Sequence, residues 1–384
     1  MAYKERSVAK RIIMLTIDNE ELQMINDITA PLRQDERAVL SLRSLYEQYG
    51  YKKYKMSKFE NYELYLENKN FLASEKIVTF TDPRGKLLAL KPDITLSIVK
   101  NAPKEIEGTY KVYYDENVYR AGADGDDNIK EIMQVGIELI GNVDLYSEGE
   151  VLTLAARSLK SVSENSIIGI SHMGIISALI SESGLKGESA SKVGKALADK
   201  NLSAIKEFCG ENAEKLVKLA NIYGPLDKTI YQLEEICSSG KCEGAINELE
   251  ELAKVLVAMG ESESFVLDFS VSNDMNYYNG ITFQGFIDGI PRHVLSGGRY
   301  DALVRKTGLN ADAIGFAVYP DILERFNTGE RGFDVDVLVV YDRNADAAEV
   351  AKAVEKIKSR GKKVCAMPAA SNCRPSYKEL VRFD

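Results

Sequence analysis

The segment IMQVGIELIG (132–141) constrains the fold of this 384-residue chain more than any other. Its apolar residues alternate strictly with polar or small ones: Met133, Val135, Ile137 and Leu139 fall on one side, and Gln134, Gly136 and Glu138 on the other. Such alternation predicts a β-strand with one buried apolar face. The segment TYKVYYDENVYR (109–120) predicts a second strand, and the polar loop between them (121–128) favours an antiparallel pair.

The polar face of segment 132–141 has two interpretations. It is either the wet surface of a sheet, or the floor of a ligand pocket. In the second case the Glu138 carboxylate and the Gln134 amide converge on a polar ligand, and Gly136 leaves room for it. A carboxylate at the floor suits a cationic group such as an amine or an imidazolium.

The remaining pattern up to residue 330 indicates an α+β fold. Helices are predicted over 35–49, 91–102 and 148–161, β-hairpins over 77–90 and 280–300, and a further strand over 264–270. The hairpins turn at the sequences DPRG and DG, which carry residues that β-turns favour. The helix over 91–102 has two candidate N-caps, Asp93 and Thr95.

Two other regions differ from this pattern. Residues from about 172 to 258 are rich in Ala, Leu, Lys and Glu and predict a helical insertion. Residues 333–384 predict a small βαβ-like unit. We therefore expect a core over 1–330 that contains the insertion, followed by a small α/β unit over 333–384.

Composition limits the functional classes. The net charge of −9 and the isoelectric point near 5.2 argue against a protein that mainly grips nucleic acid, because neutralised phosphates supply most of that affinity. No apolar run approaches the ~20 residues that a membrane span needs. The N-terminus lacks the pattern of a signal peptide, so we expect a cytoplasmic protein without a membrane partner.

The sequence predicts neither a metal nor a cofactor. It has two His and five scattered Cys, which we expect to be reduced structural thiols, and it has no P-loop and no dinucleotide-binding glycine motif. Asp124, Asp126 and Asn128 resemble the start of a calcium loop, but Val135 stands where that loop needs Glu. We interpret 121–128 as a solvated acidic loop.

Adjacent tyrosines occur in MNYYNG (275–280), shortly before SGGRYD (296–301). If the chain is extended there, Tyr277 and Tyr278 lie on opposite faces, one in the core and one towards a ligand. The glycine pair 297–298 gives either a tight turn or a close approach of backbone to ligand.

In this order, the segments resemble the catalytic core of histidyl-tRNA synthetase, a class II synthetase, over about residues 30–330. LALKPDITLSIVKNA resembles the R-P-E-G-T segment, YYDENVYR…QVGIELIG resembles motif 2, SNDMNYYNGITF resembles the R-G-L-D-Y-Y histidine motif, SGGRYD resembles G-G-R-Y-D, and AIGFAVYPDIL resembles motif 3. The resemblance implies a class II antiparallel sheet flanked by helices, with the 333–384 unit similar to half of an anticodon-binding domain.

The chain departs from these motifs where adenylate formation needs charge. Motif 2 keeps Arg120, but its Glu is replaced by Gly122, and Asp124, Asp126 and Asp127 enter its loop. The histidine motif has Asn273, Asp274 and Asn276 in place of Arg, Gly and Asp, and motif 3 has Tyr319 and Ile322 in place of Gly and Arg. Because fixed cations must stabilise the triphosphate, we expect no activation of histidine and no catalytic residue.

A histidine pocket without adenylation residues resembles the regulatory subunit of ATP phosphoribosyltransferase. That resemblance implies a short catalytic subunit as partner, a hetero-octamer built on self-dimers, and histidine as feedback effector at the first step of histidine biosynthesis. It also implies a set of histidine-binding residues: Asp93, Thr95, Arg120, Gln134, Glu138, Tyr277 and Tyr278. The alternatives are a synthetase paralogue that senses a metabolite or modifies a protein, and a true synthetase with unusual motifs.

Overall fold

The computed structural model describes residues 34–68, 77–121, 128–237, 240–271, 277–326 and 333–383. The chain divides after Phe326 into two compact units. The first unit contains all the residues that the sequence assigns to a ligand pocket. The acidic residues of 122–127 and the substituted positions 273, 274 and 276 lie outside the described residues.

The first unit begins with helices that are separated by pairs of strands. They are α1 (Gln34–Gln48), β1 (Lys52–Lys53), β2 (Phe59–Asn61), α2 (Tyr62–Glu67), β3 (Thr79–Thr81), β4 (Leu87–Leu90), α3 (Thr95–Asn101), β5 (Thr109–Ala121), β6 (Ile129–Gly141), α4 (Leu145–Lys160) and β7 (Ser166–His172). The predicted antiparallel pair is confirmed, since β5 and β6 pair along thirteen residues. The predicted hairpin over 77–90 is confirmed as well. Strand β7 is not among the predicted elements.

The insertion is helical apart from one short strand. Its elements are α5 (Met173–Glu182), α6 (Glu188–Ala198), α7 (Leu202–Cys209), α8 (Glu214–Ala220), β8 (Tyr223–Pro225), α9 (Leu226–Thr229), α10 (Gln232–Ile236) and α11 (Glu243–Ala258). Helix α11 lies against α4, and Gly149 permits this close approach, because a Cβ there would stand 2.4 Å from Val255 Cγ1.

The first unit ends with strands that return to the main sheet. They are β9 (Phe265–Asp268), β10 (Ile281–Ile287), β11 (Leu295–Arg299), α12 (Asp301–Lys306), β12 (Asp312–Val318) and α13 (Pro320–Phe326). Among the described residues, the main sheet has nine strands in the order β1-β5-β6-β12-β11-β10-β7-β9-β8. Of the pairs that the described residues form within this main sheet, only β1–β5 and β7–β9 are parallel, so the predicted, mostly antiparallel sheet is confirmed.

The two faces of this sheet bury two cores. Val135, Ile137 and Leu139 of β6 join the larger core with residues of α1, α4 and the insertion. Ile94 and Leu96, on and beside α3, join a smaller core with residues of β5 and α12. The polar face of β6 is therefore covered as well, which places Glu138 inside the protein.

The second unit is a small parallel sheet. It contains β13 (Val335–Tyr341), α14 (Ala347–Lys358), β14 (Val364–Pro368) and β15 (Tyr377–Phe383), with β13 in the centre. Helix α14 covers one face through Val350, which packs with Val337 and Val339. The βαβ pattern is present as predicted, and β15 adds a strand that the sequence pattern does not reveal.

Candidate functional site

Glu138 lies at the centre of the candidate pocket, and both its carboxylate oxygens accept hydrogen bonds. Its side chain projects from β6 and is only 2% exposed. Thr95 Oγ1 donates to Oε1 over 2.7 Å, and the Tyr300 hydroxyl donates to Oε2 over 2.5 Å. Since Thr95 begins α3 and Tyr300 precedes α12, two helices that pack on the same face of the sheet fix this carboxylate.

Glycines on the neighbouring strands make room for these side chains. Gly298 of β11, Gly315 of β12 and Glu138 of β6 are direct partners in the sheet register. A Cβ on Gly315 would stand 1.9 Å from Glu138 Oε2, and a Cβ on Gly298 would stand 2.5 Å from the Tyr278 ring. Bare backbone at Gly298 and Gly315 therefore lies beside the Tyr278 ring and Glu138. The tight turn considered for the glycine pair is wrong, because both glycines lie within β11, and the close approach of backbone to a ligand stays a prediction.

Three tyrosine rings form a wall beside Glu138. The ring centroids of Tyr277 and Tyr278 are 4.7 Å apart, and those of Tyr277 and Tyr300 are 5.9 Å apart. The expectation that Tyr277 and Tyr278 lie on opposite faces of an extended chain is wrong, because residues 277–280 form no strand and the two rings contact each other. Both rings are partly exposed and line the same site.

A second carboxylate, that of Asp93, lies at the start of α3. Its Oδ1 accepts a hydrogen bond from the Leu96 amide over 2.7 Å, so Asp93 supplies the cap, whereas the Thr95 hydroxyl is used by Glu138. Arg120 of β5 faces Asp93, and its Nε donates to the Pro92 carbonyl over 3.0 Å. Arg120 is therefore hydrogen-bonded to the residue that directly precedes Asp93.

Burial makes both carboxylates reluctant to ionise. Burial raises the pKa of Glu138 to about 8, against the opposing hydrogen bonds from Tyr300 and Thr95. Burial also raises the pKa of Asp93, against the Leu96 amide and the Arg120 cation. A cationic ligand between the two groups would favour their ionised forms, so the site is suited electrostatically to an amine or an imidazolium.

Gln134 lies on the same face of β6 as Glu138 and is 6% exposed. The interpretation of this face as a wet surface is therefore wrong, because both polar side chains are buried. Gly136 lies between Gln134 and Glu138 on β6, and the Tyr114 hydroxyl occupies the space beside it. A Cβ on Gly136 would stand only 2.6 Å from that oxygen. The pocket-floor interpretation agrees with this packing, whereas the ligand itself stays a prediction.

Sequence reasoning missed Tyr300 and Tyr114 as parts of this site. Tyr300 belongs to the SGGRYD segment, whose resemblance to a synthetase motif was the available signal. Tyr114 is fully buried on β5, directly opposite Gly136 in the register. No local pattern distinguishes it from an ordinary core tyrosine.

The motif 3 substitutions replace charge with packing. Ile322 packs against the larger core, and the Asp321 carboxylate accepts a hydrogen bond from the Met133 amide over 2.9 Å. The Tyr319 hydroxyl is hydrogen-bonded to Ser296 Oγ over 2.8 Å, where the synthetase motif has only glycine. These residues supply no cation for a triphosphate.

Across the described ranges, no group of three or more His, Cys, Asp or Glu side chains is arranged to hold a metal ion. None of the helices in those ranges combines the length and apolarity that crossing a membrane requires.

Comparison with known proteins identifies the chain. The family model for histidyl-tRNA synthetase matches residues 28–323, so the chain belongs to the histidyl-tRNA synthetase class. Within that class, two relatives are ATP phosphoribosyltransferase regulatory subunits. The Clostridium acetobutylicum protein is 30% identical over 84% of this chain and 83% of its own length, and the Caldanaerobacter subterraneus subsp. tengcongensis protein is 31% identical over 78% and 81%. The chain belongs to the ATP phosphoribosyltransferase regulatory subunit family.

Solved structures support the fold. A Bacillus halodurans structure described as an ATP phosphoribosyltransferase regulatory subunit/histidyl-tRNA synthetase matches 99% of both chains with a TM-score of 0.71 and 23% identity. A chain of the ATP phosphoribosyl transferase (HisG:HisZ) complex from Thermotoga maritima matches 75% of this chain and 98% of its own length, with a TM-score of 0.59 and 19% identity. The predicted class II fold and the predicted family are both confirmed.

Proposed function

We propose that this chain binds the short catalytic subunit of ATP phosphoribosyltransferase, raises its turnover and transmits feedback inhibition by histidine. The observation that carries the proposal is the pairing of a buried Glu138 carboxylate, held by Thr95 and Tyr300, with Ile322 in place of the motif 3 cation. A protein that binds histidine but cannot activate it is suited to sensing histidine.

The pocket chemistry matches histidine as effector. Asp93 and Glu138 are two buried or half-buried carboxylates, and histidine carries an ammonium group and an imidazole that protonates near neutral pH. In the proposed pose, Asp93 and Thr95 hold the ammonium, Glu138 binds the imidazole and Gln134 orients it. The rings of Tyr277 and Tyr278 cover the ligand, and Arg120 lies near its carboxylate.

A steady-state assay tests the proposal directly. Purified short catalytic subunit is assayed alone, with this protein, and with this protein plus increasing histidine. We expect turnover to rise with this protein and to fall again with histidine. Unchanged turnover, together with no complex on size-exclusion chromatography, would overturn the proposal and favour the metabolite-sensing paralogue.

A matched pair of variants separates activation from inhibition. Glu138→Ala removes the pocket carboxylate and should weaken the histidine effect while activation persists. Glu131→Ala is the control, because Glu131 lies on the same strand but is exposed. Equal histidine sensitivity in the two variants would argue against Glu138 as a ligand contact.

We further propose a cytoplasmic hetero-octamer built on dimers of this chain. Native mass spectrometry of the mixed subunits would measure the stoichiometry. A complex with one copy of this chain would contradict the dimer.

A further inference from the structure

Arg299 is held by three carboxylates immediately before the pocket residue Tyr300. Its Nε lies 2.9 Å from Asp301 Oδ2, its Nη1 donates to Glu148 over 2.7 Å, and its Nη2 donates to Asp312 over 2.9 Å. Glu148 and Asp301 are buried, so Arg299 is their neutralising partner. Charge-assisted hydrogen bonds of this kind fix the position of the Arg299 guanidinium and of the carboxylates that it contacts.

The contacts on one side of Arg299 lead to the pocket. Asp301 also accepts a hydrogen bond from Asn279 Nδ2 over 3.1 Å, and the Asn279 amide donates to the Arg299 carbonyl over 3.0 Å. Asn279 directly follows Tyr278, whose ring lies on Gly298. The Arg299–Asp301 pair therefore holds the chain on both sides of the tyrosine wall, at Tyr278 and at Tyr300.

The contacts on the other side lead to the helical insertion. Glu148 lies on α4, where Gly149 allows α11 to approach closely and bring Glu248 near. Burial, and then the charge of Glu248, raises the pKa of Glu148 to about 7. Glu248 Oε2 lies 3.5 Å from Nε2 of His172, and that nitrogen has no hydrogen-bond partner among the described residues.

The contact between His172 and Glu248 is longer than an ordinary hydrogen bond. His172 Nδ1 accepts a hydrogen bond from the Gly174 amide over 3.0 Å, so the proton of the neutral ring is on Nε2 and points towards α11. Among the described residues, the buried His172 Nε2 and the buried Glu248 Oε1 both lack a hydrogen-bond partner. His172 ends β7 and Glu248 lies on α11, so a shift of α11 changes this contact together with the effect of the Glu248 charge on Glu148, the partner of Arg299.

We infer that Arg299 is a positioning residue that couples the helical insertion to the ligand pocket, so that ligand binding and the packing of α11 on α4 are energetically linked. The inference rests on the proposed function, because it takes histidine as the ligand. Linkage requires reciprocity: a change at Glu248 alters histidine affinity, and histidine alters the protection of α11.

Calorimetric titration with histidine tests the link through a double-mutant cycle. Without the Glu248 charge, Glu148 ionises more readily and holds Arg299 more firmly. We expect Glu248→Gln to tighten histidine binding about threefold, and by less than about 1.5-fold in an Arg299→Lys background. An unchanged affinity in Glu248→Gln, or an equal shift in both backgrounds, would overturn the inference.

Two additional variants keep the test interpretable. Asn279→Ala removes one exposed side chain that links the network to Tyr278, and it should weaken histidine binding at least about fivefold even if Arg299→Lys fails to fold. Arg305→Gln is the control, because Arg305 pairs with the same Asp312 but is exposed, and it should change affinity by less than about twofold.

Hydrogen exchange measures whether histidine binding changes the protection of α11. A purely structural role of the Arg299 network would not produce such a change. Histidine should slow amide exchange in α11 of the unaltered protein. In Asn279→Ala, even saturating histidine should leave the exchange of α11 unchanged. Equal protection in both proteins would contradict the link. If the unaltered protein does not bind histidine, the proposed function and this inference both fail; normal binding without coupling overturns the inference alone.

Discussion

At the scale of single residues, Glu138 is a buried acid whose proton affects folding. Its pKa rises from an ordinary value near 4.5 to about 8 on burial, with Thr95 and Tyr300 donating to its two oxygens. At pH values between 4.5 and about 8, Glu138 keeps a proton in the folded protein that it releases in the unfolded chain. The unfolded state then binds fewer protons, so the free energy of unfolding falls as pH rises.

This sign gives a testable pH dependence. Between about pH 5 and pH 8, Glu138 should lower the free energy of unfolding by at most about 4 kcal/mol, since a difference of one bound proton changes it by about 1.4 kcal/mol per pH unit. Urea unfolding of the unaltered protein and of Glu138→Gln at both pH values measures the effect. The variant should show a shallower decline, with a remainder from Glu148, whose pKa of about 7 has the same sign. An identical decline in both proteins would contradict the assignment.

Removal of the Tyr300 hydroxyl should also be costly. Tyr300→Phe leaves one oxygen of a buried carboxylate without its donor, which costs about 1–3 kcal/mol of stability. We expect histidine affinity to fall about tenfold, because the carboxylate loses its fixed orientation. Tyr119→Phe is a matched control, since Tyr119 donates to the exposed Glu131. Isothermal titration and thermal melts would compare the two; similar losses would argue against a special role of Tyr300.

Local patterns revealed only part of this site. Gln134 and Glu138 could be predicted because a strand repeats every two residues. The local pattern marked Asp93 and Thr95 only as helix caps, and it was the resemblance to the synthetase motif that assigned them to the site. Tyr300 could not, because it lies between a strand and a helix, and its hydroxyl reaches a residue 162 positions away. Contacts at that separation leave no periodic signal in the sequence.

At the scale of elements, strands that lack an alternating apolar pattern could not be predicted from the sequence either. The strand Tyr223–Pro225 has three residues and includes glycine and proline, so turn chemistry masks it. The strand Tyr377–Phe383 is mostly exposed and carries charges between its apolar residues. In contrast, the long pair β5–β6 was predictable because both strands extend over thirteen residues.

The close approach of α11 to α4 makes a prediction about helix packing. Gly149→Ala adds a Cβ only 2.4 Å from Val255 Cγ1 and should destabilise the protein by about 1–3 kcal/mol, despite the better helix propensity of alanine. Gly244→Ala, on α11, meets no atom within 4 Å and should be neutral or stabilise by up to about 1 kcal/mol. Chemical unfolding measures both changes, and equal values would refute this packing argument.

At the scale of the whole molecule, the candidate site belongs entirely to the first compact unit. Every pocket residue precedes Phe326, and the second unit has its own small core around Val337, Val339 and Val350. The sequence predicted this organisation through the change from hairpins to a βαβ pattern near residue 333.

Removal of the second unit should therefore leave the pocket intact. A chain ending at Phe326 is expected to bind histidine with a dissociation constant within about twofold of the full protein, because none of the described pocket contacts comes from later residues. Calorimetric titration of both proteins provides the measurement. A loss of binding in a truncated protein that keeps its thermal midpoint would show that the second unit contributes to the site.

The register that places Gly298, Gly315 and Glu138 side by side also limits how the family can diverge. Every substitution of either glycine adds at least a methyl group, and at both positions that group would overlap a side chain of the site. Either substitution displaces the Tyr278 ring or Glu138 in a single step, so the floor of the proposed pocket cannot change gradually. We therefore expect any new ligand preference of the proposed pocket to arise at its walls.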